Sequence, residues 1–326
     1  MKLAIGLTAL VAALFVLSLV TGTAAIPPGQ SLQALIQGDG TPIAVVMREI
    51  RLPRAILAAL IGAALGLSGA AMQGYLRNPL AEPGLIGVSG AAALGAVLSI
   101  QLGLQMLFPL ALPLAALAMA VLAVLLILML AGPRGGSITL ILAGIAISAL
   151  TGALTSLVLN LSPNPFAAAD IVFWMMGSLA DRSFTHVWLA LPFIAVGAAL
   201  LFSTGRGLDA LTLGEDAAQA MGLNLSALRL RLILGTAAAI GAATAVAGAI
   251  GFVGLVVPHL LRRAVGARPS ALLWASGLGG AAMVLAADIA VRLLLPDRDL
   301  KLGVLMALVG APLFLHLIFR TRREMA

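Results

Sequence analysis

The chain has 326 residues, of which 62% are hydrophobic and 10% charged, and its mean hydropathy is +1.14. A soluble globular domain carries about 25% charge, so this composition excludes a soluble enzyme and places the chain in a bilayer. The absence of cysteine excludes a disulfide framework, a thiol nucleophile and a thiolate metal site; the net charge of +7, with only Lys2 and Lys301 as lysines and few aromatics, reads as basic loops against an anionic leaflet and not as a nucleic-acid surface.

A membrane helix needs about 20 apolar residues. The first 25 residues, "MKLAIGLTALVAALFVLSLVTGTAA", meet that length. Lys2 and the small-residue run "TGTAA" also fit a signal peptide, but a retained helix is the simpler reading in a chain that is membrane throughout. Further segments are predicted at about 52–76, 85–104, 108–131, 138–161, 184–204, 228–250, 252–264, 270–295 and 302–320, the eighth too short to span alone. A short helical piece is expected near 166–179. The expected fold is an all-α integral membrane protein of ten transmembrane helices, one domain over residues 1–326.

The second helix opens on "REIRLPRAIL", where Arg48, Arg51 and Arg54 share one helical face. With ten helices both termini lie on one side, together with Lys2, Arg77, Arg134, Arg206, Arg229, Arg231, Arg262, Arg263, Arg268, Arg320, Arg322 and Arg323; Arg48, Arg51, Arg54, Arg182, Arg292, Arg298 and Lys301 lie on the other. The larger basic set is expected to be cytoplasmic. The arginines of "REIRLPR" and Arg292 then face outward, either to dock an acidic partner or to snorkel to lipid headgroups.

Two internal patterns stand out. "IGAALGLSGA" (61–70) resembles "IGAATAVAGA" (240–249) at an offset of 179, which also carries Pro79 onto Pro258. The copies are expected to start the second and seventh helices and to run in opposite directions, a weak inverted repeat of helices 2–5 on 7–10, as transporters use. Gly62, Gly66, Ala70 and Gly74 recur every four residues, a stripe suited to close helix packing and not to a ligand.

No active-site pattern occurs. His186, His259 and His316 have no metal-ligand spacing, and neither lysine follows a glycine, so the chain holds no P-loop. Asp288, an acidic residue inside a span, precedes Arg292 by four residues, as a structural ion pair would. The most informative polar stretch is 207–231. There "LGEDAAQAMG" reads as a short helix with Gly214 before it and Gly222 as its stop, and "NLSALRL" as the start of another short helix capped by Asn224 or Ser226. Two short helices on the cytoplasmic face can fill a partner's groove.

Three stretches together carry a resemblance: 51–96 with "NPLAEPGLIGVSG", 211–224 "LTLGEDAAQAMGLN" and 251–266 "GFVGLVVPHLLRRAVG". They resemble the permease subunits of type II ABC importers for iron–siderophores, haem and cobalamin; "LILAGIAISAL", "FWMMGSL" and "GVLMALVGAPLFL" are similar to the same pattern. The resemblance implies ten helices per subunit and a homodimer in the bacterial inner membrane with cytoplasmic termini. It also implies two cytoplasmic ATPase subunits that bind ATP and Mg, a periplasmic binding protein, no cofactor in this chain, no metal and no nucleic acid. By that resemblance Arg51, Arg54 and Arg292 would dock the binding protein. Leu213, Gly214, Glu215, Asp216, Ala217 and Gly222, within a coupling segment of about 207–229, would engage the ATPase. Ser137, Ile138 and Thr139 would form the cytoplasmic gate, and Met175, Met176 and Ser178 would line a pathway walled by the fifth helix, the 166–179 piece and the tenth helix. Iron–siderophore is the first expectation for cargo, haem next, cobalamin third; a secondary carrier that works without an ATPase is the alternative of another class. One departure is "DLKLGVLM", where Asp299, Lys301 and Met306 stand at the family's acid, proline and threonine.

Overall fold

A computed structural model describes residues 2–22, 26–37, 40–132, 136–294 and 300–325. Arg134, Arg298 and Asp299 lie outside the described residues, as do the side chains of Ser137, His316, Arg320, Arg322 and Arg323. Among the described residues all regular structure is helical: α1 (Lys2–Val20), α2 (Pro28–Gln37), α3 (Pro42–Val45), α4 (Leu52–Tyr75), α5 (Val88–Gln101), α6 (Ala111–Ala131), α7 (Ser137–Asn160), α8 (Pro165–Met175), α9 (Phe184–Ser203), α10 (Gly205–Leu211), α11 (Glu215–Ala220), α12 (Leu225–Ala247), α13 (Val253–Arg262), α14 (Pro269–Leu294) and α15 (Leu302–Met325). A π-helical turn over Val46–Arg51 joins α3 to α4.

Each of the ten predicted segments holds a helix, but seven among the described residues have the length and apolarity to cross a membrane. The third and eighth are cut short by backbone that leaves the helical region. Gly87 (φ +81°) precedes α5 and Gly103 (φ +65°) follows it. Phe252 (φ +67°) precedes α13, and Gly266 (φ +63°) ends the turn after it. The predicted second short helix at "NLSALRL" is absent as a separate element: Asn224 Oδ1 accepts from Ala227 N at 2.9 Å and caps α12, which runs unbroken to Ala247.

Helices α4 and α12 form the centre of the bundle. The small-residue stripe of α4 is a packing surface: a Cβ at Gly62 would overlap Gly280 O, and one at Gly66 would overlap Ser276 O, both of α14. Matching four-residue spacing on the two helices lets their backbones touch. The close point further along is Gly69, against Gly254 of α13, and not Ala70. The two similar stretches do not start their helices: 61–70 lies midway in α4 and 240–249 ends α12, while Pro79 falls in a loop and Pro258 inside α13.

Candidate functional site

Helices α4 and α14 both run between two polar ends of the bundle. At one end α4 begins after Arg51 and α14 ends after Arg292. Arg54 Nη2 lies 2.9 Å from Asp288 Oδ1, and Arg292 Nη2 lies 2.9 Å from Asp288 Oδ2. Arg292 also donates to Ser18 O at 2.9 Å, Thr21 O at 2.6 Å and Ser18 Oγ at 2.7 Å, and Arg51 Nη1 donates to Leu19 O at 3.0 Å. Arg48 donates to Leu35 O and Ile36 O at 2.8 to 3.0 Å.

The contacts of Arg48, Arg51 and Arg292 with backbone carbonyls share one physical cause. The last carbonyls of a helix have no intrahelical partner and carry its negative partial charge, and a guanidinium satisfies both needs. Arg51 and Arg292 cap α1, Arg48 caps α2, and at the opposite end Arg229 Nη2 caps α6 through Gly132 O at 2.9 Å. The expectation of outward arginines is therefore corrected in part. Arg51 is 4% exposed and the Arg292 side chain 7%, both turned into the protein, whereas the Arg54 side chain is 19% exposed. The predicted Asp288–Arg292 pair is present, with Arg54 as a third member. Three arginines against one aspartate give this cluster a formal +2.

The other end carries α10 and α11. Gly214 (φ +105°) admits the chain to α11 and Gly222 (φ +85°) stops it. Gly222 N donates to Gln219 O at 2.8 Å and Leu223 N to Ala218 O at 3.0 Å, the paired bonds of a glycine-terminated helix. Leu213, Glu215, Asp216, Ala217, Met221 and Gly222 are exposed, while Ala218 is fully buried among Leu208, Leu211 and Leu228. The segment thus offers an acidic pair flanked by two large apolar side chains on a rigid base. Sequence reasoning missed how that base is fixed. Asp209 of α10 accepts from Ser270 N at 2.8 Å, Ser270 Oγ at 2.7 Å and Arg268 Nε at 2.9 Å, a clip onto the start of α14. Burial alone would raise the Asp209 carboxyl, but these hydrogen bonds and the Arg268 charge outweigh it and hold it below the ordinary carboxylate value.

Helix α7 starts at this end with Ile138 and Thr139 exposed. It buries Leu140, Ala143, Ile147, Thr151 and Thr155 on one face, while Ile138, Leu142, Ile145 and Gly152 on the other are exposed. At the end of α8, Met175 packs near Ile171, and Met176, its C-cap, is 37% exposed. Ser178 N donates to Ala247 O at 2.8 Å and Gly303 N to Gly177 O at 3.3 Å, so the α8–α9 linker, the end of α12 and the start of α15 meet through backbone. Ser178 Oγ accepts from Ala180 N at 3.1 Å. Lys301 stands over the Phe173 ring with Nζ 5.6 Å from its centroid, and Met306 is buried. His186 Nδ1 lies 3.3 Å from Ser183 N and Oγ, capping α9. Among the described residues no group of three or more potential metal-ligating His, Cys, Asp or Glu exists.

Comparison with known proteins gives a consistent result. A model of the FecCD transport family matches residues 10–320. The chain is 38% identical over 317 residues to the vitamin B12 import system permease protein BtuC of Klebsiella pneumoniae, covering 97% of this chain and 93% of that protein. It is 38% identical over 299 residues to an uncharacterized ABC transporter permease protein, YvrB, of Bacillus subtilis, covering 90% of this chain and 84% of that one. A solved metal-chelate type ABC transporter in an inward-facing conformation superposes with a TM-score of 0.86 at 33% identity, covering 98% of this chain and 99% of the other.

Proposed function

This chain belongs to the FecCD transport family and is the permease subunit of an ABC importer, and we propose that it passes a metal chelate, cobalamin before haem or an iron–siderophore, from a periplasmic binding protein into a bacterial cytoplasm. The permease is not itself catalytic; its ATPase is a separate partner. The resemblance in sequence alone favours an iron–siderophore. The vitamin B12 permease, similar over nearly the whole length, moves the preference to cobalamin, which is also a metal chelate.

The observation that carries the mechanism is the construction of the coupling end. Helix α11 is exposed on one side and, through Ala218 and Leu208, Leu211 and Leu228, is packed onto α10 and α12 on the other. A short helix built this way fits the groove of an ATPase and transmits force without absorbing it. Closure of two ATPase subunits around bound ATP and Mg pushes α11. The Asp209 clip carries the push to α14, and Ala218 carries it to α12. Ser137, Ile138 and Thr139 then gate the cytoplasmic mouth, and the free face of α7 meets a second copy across a central pathway. Helices α7, α8 and α15, with Met175, Met176 and Ser178, wall that pathway. Both termini are cytoplasmic in this arrangement.

The end that carries this +2 cluster faces the binding protein. Arg54, the most accessible of the three arginines, makes the direct contact with a partner carboxylate, and Arg51 and Arg292 position it by locking α1. Uptake of radiolabelled cyanocobalamin, haem and a ferric siderophore into vesicles holding the permease, its ATPase and its binding protein tests the cargo. Cobalamin is expected to enter and to be outcompeted by neither of the others. Preferential uptake of a ferric siderophore overturns the cargo assignment.

A further inference from the structure

Two loops that share a Gly-x-x-Gly frame meet inside the bundle. "GLIG" (84–87) precedes α5, and "GFVG" (251–254) leads into the first turn of α13. A Cβ at Gly254 would stand 2.6 Å from Pro83 Cγ and 2.9 Å from Leu65 O, so the loops touch without room for a side chain. Between them lies a cavity of about 290 Å³ lined by Leu65, Glu82, Ser89, Ile240 and Phe252. Leu65 is midway along α4, so Glu82 brings a carboxylate to the middle depth of the membrane, where an acidic group is costly and marks function.

Glu82 Oε1 accepts from Phe252 N at 3.3 Å. It thereby satisfies a free N–H at the head of α13, where the helix dipole also favours an anion. Phe252 is left-handed at φ +67°, a strained conformation for an aromatic residue that persists only when its surroundings enforce it. Two contacts do so: the Glu82 hydrogen bond, and Gly310 of α15, where a Cβ would overlap the Phe252 ring. On the other side the Glu82 loop is seated on α7, because a Cβ at Gly87 would stand 2.8 Å from Gly144 O and 3.2 Å from Ile147 Cγ2.

We propose that Glu82 is a positioning residue that makes α7 and α15 move together, through the rigid series Gly144–Gly87–Glu82–Phe252–Gly310. The inference rests on the importer reading, which makes these two helices pathway walls. Without the joint, a push on one wall would leave the other behind, and the pathway would open at one end without closing at the other.

The test uses the assembled transporter in vesicles, with single cysteines at Ile145 of α7 or Leu308 of α15 in the cysteine-free chain. The rate of labelling by a water-soluble maleimide is read with and without nucleotide. In the otherwise native protein both sites are expected to respond to nucleotide. In Glu82→Ala the response at Leu308 falls about tenfold relative to that at Ile145, the size of a lost hydrogen bond. Glu82→Gln, which keeps an oxygen acceptor, restores it. If both sites respond normally in Glu82→Ala, or if Glu82→Gln is as defective as Glu82→Ala, the joint is not used and the inference fails. Should Glu82→Ala not assemble, Phe252→Gly decides. It keeps the N–H and the left-handed backbone but loses the contact with Gly310, and it must lose the Leu308 response. A normal response there overturns the proposal. A native protein in which neither site responds to nucleotide contradicts the importer reading itself, an outcome distinct from failure of the joint.

Discussion

Arg54 Nη2 and Asp288 Oδ1 stand 2.9 Å apart although 234 residues separate them. The Asp288 carboxylate, 1% exposed, accepts from Arg54 on both oxygens, with Nε at 2.9 Å from Oδ1 and 3.2 Å from Oδ2, and from Arg292 on Oδ2, and this pairing ties the start of α4 to the end of α14. Replacing Asp288 by Asn keeps the shape and leaves two guanidinium groups without their counter-charge. Breaking a buried ion pair by removing one partner costs about 3–5 kcal/mol. Thermal unfolding in detergent should show a clearly lowered midpoint for Asp288→Asn; an unchanged midpoint would mean that the pair does not hold these helices.

The same cluster separates docking from folding. Charge reversal of Arg54 would set a second carboxylate against Asp288, so docking is read from Arg54→Gln, which keeps a donor to Asp288 while Arg292 keeps the counter-charge: it should weaken capture of the binding protein while the yield of folded permease stays normal. Reversal of Arg51 or Arg292 should lower that yield, because each leaves α1 carbonyls uncapped and buries an acid beside them. Equal folding and unchanged capture in all three variants would remove both roles.

Gly222 has open space where a side chain would go, so only its backbone resists substitution. At φ +85° a β-branched residue costs about 1–2 kcal/mol. Gly222→Val is therefore expected to unseat the end of α11 and reduce ATP-driven uptake severalfold, with the membrane helices intact by circular dichroism. Full uptake by this variant would exclude α11 from coupling.

The Asp209 clip gives a pH dependence of known sign. Its folded-state pKa is depressed, so its contribution to stability is complete above the ordinary carboxyl value of 3.8 and is lost as pH falls below it. Unfolding midpoints measured from pH 6 down to pH 3 should decline less for Asp209→Asn than for the native protein in the lowest part of that range. Parallel curves would show that the clip carries no stabilisation.

Much of this was legible in the residues. The apolar runs place a helix in each of the ten predicted segments, seven of which among the described residues are long and apolar enough to cross a membrane, and Gly214 and Gly222 bracket α11 as their freedom at positive φ predicts. The small-residue stripe of α4 was read correctly as packing because glycines four apart have little other use on a buried helix. What the sequence hid is non-local. The spacing of Arg48, Arg51 and Arg54 shows a face but not that α1 and α2 lay carbonyl ends against it. Asp209 and Ser270 are 61 residues apart, and no local pattern joins them. Glu82 left a trace, an acid between two prolines in an apolar stretch, but its partner is a backbone N–H, which has no sequence signature.

The free face of α7 predicts contact between two copies. Cysteine at Ile138 or at Thr139 should crosslink two permeases in at least one nucleotide state, since no native cysteine competes. No crosslink from either position in any state would place the gate elsewhere.

The central claim is that this chain moves cargo only when a separate ATPase drives it. The most direct measurement is cyanocobalamin accumulation in vesicles carrying the purified permease, with its binding protein outside and its ATPase with ATP either present or omitted inside. Accumulation that needs the ATPase, ATP and the binding protein together is the expected result. Equal accumulation by the permease alone, driven by an ion gradient, would contradict it.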